Sequence, residues 1–113
     1  MSTTRETMHY LLGQLSLVDG ITHRAMMGEY IIYIHGKIAA YVCDNRLFVK
    51  PVDAARRLLP NAALTPPFEG ARDMLPVADT SDCERLRKLF EAMYPELPEP
   101  VKKKKKPRQP PRL

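Results

Sequence analysis

Met8, Leu11, Leu12 and Leu15 recur at spacings of three and four residues, which gathers them on one face of a helix. Thr3-Thr4-Arg5-Glu6 stands just ahead with capping-box spacing, a hydroxyl and a carboxylate placed to satisfy each other's free amides. With Gly20 as the stop, the pattern predicts a first helix over 4–17. Gly13 weakens its middle by about 1 kcal/mol relative to Ala. The period then changes. Tyr30 to Ile34 is β-branched and aromatic throughout, a composition suited to a pleated, largely buried surface. His35-Gly36 and Asp44-Asn45 fall where two-residue hairpin turns are needed. Four strands near 22–27, 29–34, 37–43 and 46–50 follow, with Gly28 allowing a bend or bulge between the first two. Met26-Met27 reads as core filler.

Further on, Val52 to Leu59 is a short helix entered through Pro51 and ended by Pro60. Residues 60–72 form a loop rich in Pro, Asn and Gly. Asp73 to Val77 is a strand that Pro76 confines to a sheet edge. Ser81-Asp82-Cys83-Glu84 repeats the capping-box spacing. Cys83, Leu86, Leu89, Phe90 and Met93 then share one face of a last helix, ended at Tyr94 by Pro95. The order α-β-β-β-β-α-β-α predicts an α+β fold, an antiparallel sheet of about five strands with helices packed mainly on one face. Residues 1–95 make the domain. Residues 96–113 form a Pro- and Lys-rich tail with little to bury, expected to be disordered.

Charge sharpens that division. The net charge is +5, from 18 Lys and Arg against 13 Asp and Glu. Seven of the basic residues (Lys102, Lys103, Lys104, Lys105, Lys106, Arg108 and Arg112) lie in the tail, leaving 11 against 13 acids in the body. The tail can engage phosphates without reading sequence, or simply solubilise the chain. It has no aromatic ring for stacking on bases and no apolar companion for membrane attachment. No apolar run is long enough to span a bilayer, and the N-terminus lacks the apolar core of a secretory signal. Two cysteines 40 residues apart suit a reduced, cytoplasmic setting.

No catalytic or cofactor constellation emerges. His9, His23 and His35 lack metal-ligand partners at helical spacing, and Cys43 and Cys83 form no C-x-x-C. Cys43 as a nucleophile requires a nearby base and a lowered pKa; as a strand-end residue it is a small apolar filler. Neither phosphate-binding glycine motif is present. The expectation is a non-enzyme without metal or cofactor.

Two segments carry a resemblance. Arg24-Ala25-Met26-Met27-Gly28-Glu29-Tyr30 runs through hairpins to Cys43-Asp44-Asn45-Arg46-Leu47-Phe48-Val49-Lys50. Pro67-Phe68-Glu69-Gly70 and Met74-Leu75-Pro76-Val77 follow. Together these resemble the TfoX N-terminal domain family across residues 8–95. Gly28, Tyr30, Leu47, Phe48 and Lys50 match its pattern, whereas Met27 replaces the usual Phe and Asn45 the second Asp. The resemblance implies a bacterial regulatory or interaction domain, linked through the family's name to transcriptional control of competence. It supplies no activity. The chain has room for this domain and none for the family's helical C-terminal DNA-associated domain, so a stand-alone form is expected.

A candidate surface comes from the hairpin register. Two-residue turns pair Tyr30 with Tyr41 and Tyr41 with Phe48. The three rings then share a face with Lys37, Arg46 and Lys50, opposite Ile31, Ile38, Ala40, Val42, Leu47 and Val49. That aromatic-basic face is either an interaction surface, for a protein partner or a second copy, or a second core layer under a helix or the 60–72 loop. The function expected is regulatory, through protein contacts, with non-specific nucleic-acid binding by the tail as the alternative.

Overall fold

Three two-residue turns join the central strands, and every turn residue has positive φ: Met27 and Gly28, His35 and Gly36, Asp44 and Asn45. That backbone hand matches the twist of the strands it connects. The computed structural model describes residues 3–98. In it α1 (Arg5–Gln14) precedes β1 (Ile21–Met26), β2 (Glu29–Ile34), β3 (Lys37–Cys43) and β4 (Arg46–Val49). Then come α2 (Asp53–Leu58), β5 (Leu75–Pro76), α3 (Cys83–Met93) and a 3₁₀ turn, Tyr94–Glu96. The sheet is antiparallel in the order β1-β2-β3-β4-β5, so the fold is α+β with the predicted element order. Pro76 lies on the edge strand, as its missing N–H requires.

All three helices pack on one face. Met8 and Leu11 of α1 with its C-cap Leu15, Ala54 and Ala55 of α2, and Leu86, Leu89, Phe90 and Met93 of α3 join Ile32, Ile34, Val42, Leu47 and Val49 in a single core. The packed body continues to Leu97, buried in the same cluster. Glu96 contributes as well: its Oε1 accepts the Ala54 N–H at 2.8 Å, supplying the N-terminal cap that α2's own sequence lacks.

Several expectations are corrected. Both helix caps sit one residue later than the capping boxes suggested: Thr4 accepts from the Thr7 N–H, and Asp82 from Glu84 and Arg85. Thr3, relieved of capping, is buried instead. Met27 is not core filler; it stands 98% exposed at the tip of the β1–β2 hairpin. The segment around Gly28 is therefore a tight turn rather than a bulge.

The bulge lies elsewhere. Ile34↔Lys37 and Tyr33↔Ile38 follow the register set by the turn, but Ile32 pairs with Ala40, leaving Ala39 as an extra residue. Beyond it Tyr30 pairs with Val42, not Tyr41. One inserted residue exchanges the faces of everything on one side of it. Both alanines are fully buried, since a methyl group fits on either side of the kink.

Gly20 has φ of +80°, and a Cβ there would strike the ring of His35, whose N–H donates to the Gly20 carbonyl at 2.9 Å. This close approach clamps the α1–β1 connection to the β2–β3 turn.

Candidate functional site

The sheet's other face is covered by a loop. Thr65 and Met74 exchange two backbone hydrogen bonds at 2.8 and 2.9 Å, closing residues 66–73 into a flap. Within it the Ala71 N–H donates to the Phe68 carbonyl at 3.0 Å, which fixes the turn that presents Phe68. The Phe68 ring lies near-parallel to Tyr41, with centroids 6.2 Å apart and 28° between planes. Beneath, Cys43, Phe48 and Met74 form a small second cluster against which Tyr41 packs.

Pairing places Arg24, Ile31, Tyr41, Phe48 and Pro76 in one row across all five strands on this face. Thr22, Tyr33 and Ile38 form a second row. Ile31, Tyr33 and Ile38 are half-buried and belong to neither core cluster; Thr22 and Arg24 beside them are exposed.

The six residues of the predicted face are divided. Tyr41, Phe48, Arg46 and Lys50 share the loop-covered face, but Phe48 is buried at 1% exposure. The Arg46 guanidinium lies 4.9 Å from the Phe48 ring centroid. Tyr30 and Lys37 sit on the helix-covered face, moved there by the Ala39 bulge. Tyr30 packs on the main core. Lys37 donates to the Tyr94 carbonyl at 3.3 Å, its ammonium 4.4 Å from that ring's centroid. Phe68 and Arg72 were absent from the predicted set. The 60–72 loop is one of the two covers expected for this face, but nothing local says that Phe68 is the residue that meets Tyr41.

The flap, Tyr41 and the end of β4 enclose a recess of about 480 Å³, lined by Lys50, Phe68, Arg72, Asp73 and Met74 among others. Burial, and then the neighbouring Arg72 charge, push the Lys50 ammonium below the usual lysine range. A larger hollow of about 600 Å³ separates α1 from β4 and β5, between Glu6, Tyr10, Arg46 and Thr80. The Tyr10 hydroxyl and Gln14 amide beside it donate to the Thr80 carbonyl.

Signature residues around Gly28-Glu29 and Asp44-Asn45 hold the start of the chain. The Thr3 N–H donates to the Gly28 carbonyl at 3.0 Å and its hydroxyl to Glu29 Oε1 at 2.7 Å. Asn45 donates its N–H to that hydroxyl, and its side-chain oxygen accepts the Thr4 N–H. Glu29 Oε1 also accepts the Asp44 N–H at 3.0 Å. Glu29 and Asp44, on separate hairpins, thus meet in a structural knot. Burial, with the Glu29 and Asp44 carboxylates nearby, pushes the Cys43 thiol up to about 11, the reverse of nucleophile activation.

Among the described residues no group of three His, Cys, Asp or Glu is placed to hold a metal, and no helix is long and apolar enough to cross a membrane. The tail cations Lys102–Lys106, Arg108 and Arg112 lie outside the described residues.

Fold and face together define a small α+β domain with a helix-packed side and a loop-capped side. The family described as TfoX N-terminal domain matches residues 13–105. This chain belongs to that family, one of non-catalytic domains. It is 34% identical over 86 residues to an uncharacterized 12.7 kDa protein in the trpE 5′ region of Spirochaeta aurantia, the match covering 75% of each chain. No solved structure matches.

Proposed function

We propose that this protein is a non-enzymatic regulatory domain of the bacterial cytoplasm that works by protein contact, through the loop-covered face of its sheet. The observation that carries this reading is the patch Ile31, Tyr33 and Ile38, drawn from two adjacent rows, half-exposed, outside both core clusters and flanked by exposed Arg24. Apolar and aromatic side chains beside an arginine have the composition of an interface centre. Family membership supports the non-catalytic part, and the family's name suggests a role in transcriptional control of competence type. The test is association of the full chain, with itself by sedimentation and with native partners by pull-down, compared with Tyr33→Asp. Loss of association with an unchanged melting temperature is expected. Association that survives Tyr33→Asp and Ile31→Asp removes this face from the function.

The seven tail charges support a second reading, a nucleic-acid accessory protein. Full engagement of the tail gives a slope of log K against log salt near about −6 on any duplex. Titration of two unrelated duplexes tests it; no binding at low salt removes it.

A further inference from the structure

We propose that the recess between Tyr41, Phe68, Lys50 and Arg72 binds a nucleotide unit, the base against the two rings and the phosphate between the two cations. The inference goes beyond the protein-contact reading and uses different residues of the face. Lys50 and Arg72 line the same hollow, yet among the described residues neither has a carboxylate within ion-pair distance or a side-chain hydrogen bond. Asp73, on the same lining, makes no ion pair with either. A half-buried ammonium beside a guanidinium is unfavourable unless an anion neutralises both, and burial together with Arg72 depresses the Lys50 pKa accordingly. A phosphate fits that demand, because guanidinium grips two of its oxygens and ammonium supplies a point charge.

The second half of the ligand follows from the rings. Phe68 is 41% exposed although it stacks on Tyr41, so an aromatic surface remains open beside the cations. Base-on-ring stacking tolerates any base, since each has a π face. The hollow of about 480 Å³ lies within the range of small-ligand sites. Gly70 forms part of the lining with φ of +87°, and a Cβ there would meet nothing within 4 Å, so the turn leaves this stretch of the wall open.

The experiment uses the full chain and a full-length tail variant with Lys102–Lys106 changed to Gln. Probes are thymidine monophosphate, a short labelled oligothymidylate and inorganic phosphate. In the tail variant, Lys50→Met, Arg72→Gln and Phe68→Ala should each weaken oligothymidylate binding by about tenfold. Thymidine monophosphate should bind more tightly than inorganic phosphate and shift the Tyr41 and Phe68 ring resonances. Lys50→Met should leave the melting temperature unchanged or raise it, because an uncompensated charge is removed. Unchanged binding in the recess variants, or equal affinity for phosphate and the monophosphate, overturns the proposal. So does a marked fall in the melting temperature of Lys50→Met, which would make Lys50 structural. Tyr33→Asp association measured alongside separates this outcome from failure of the protein-contact reading.

Discussion

The two faces of the sheet are closed by different means. One carries a continuous core to which three helices each contribute buried side chains. The other carries Cys43, Phe48 and Met74 under Tyr41, roofed by a flap that a single pair of backbone hydrogen bonds closes. Helical cover is cooperative, since each helix brings a stripe of apolar groups already fixed relative to one another. A loop brings one ring and a backbone of its own to satisfy. The difference is a division of labour: the helix side holds the fold, and the loop side leaves apolar surface, charge and a recess at the exterior.

The sharpest way to break this contrast is to hollow both sides equally. Phe90→Ala, on the helix side, should cost about 5 kcal/mol, and Phe48→Ala about 3 kcal/mol, because the flap can settle into the space left behind. Urea midpoints at unchanged m-value measure both. Equal losses would show that the flap is as rigid as the helices. Thr3→Ala removes the hydroxyl held between Glu29 and Asn45, and should lower stability by about 1–2 kcal/mol in thermal melts. Asp82→Ala uncaps α3 on the helix side, at a cost of about 1 kcal/mol by the same measurement.

The thiol gives a pH test of the loop side. Cys43 is neutral in the fold up to about 11, above its ordinary value of 9.0. Its contribution is therefore complete below about pH 9 and is lost as pH rises through 11, because only the unfolded chain ionises readily in between. Stability should decline across that window, and Cys43→Ala should flatten the decline. In native protein at pH 8 Cys43 should react with thiol reagents far more slowly than the half-buried Cys83. The smallest effect is expected from deleting residues 101–113, which should change stability by only a few tenths of a kcal/mol. A larger loss would mean that the tail docks on the body.

What the sequence disclosed was local chemistry. His35-Gly36 and Asp44-Asn45 announced their turns because positive φ restricts which residues serve there. Leu86, Leu89, Phe90 and Met93 announced α3's buried face because 3.6-residue periodicity is visible within a dozen positions. The Ala39–Ala40 bulge was hidden because two alanines look alike on either face, and that hidden residue carried Tyr30 and Lys37 to the side of the helices. That Phe68 is the ring over Tyr41 was hidden for another reason: 26 intervening residues must fold before the two meet. The knot at Thr3 likewise joins groups 26 and 42 residues apart, which no local pattern can report.

The uninterrupted meander also sets the order of events during synthesis. Strands β1 to β4 pair only with their chain neighbours, so the four-stranded ribbon can assemble once residue 50 or so has emerged from the ribosome. The helix that contributes Phe90 and Met93 to cover it is translated some forty residues later, at a few seconds' delay by ordinary elongation rates. During that interval only α1 and α2 are available to cover Ile32, Val42, Leu47 and Val49, and the part of the aliphatic face that α3 fills stays open. Chaperone demand in the cell should therefore track the arrival of α3, and a pause placed between β4 and α3 should lower soluble yield more than the same pause placed after Leu97.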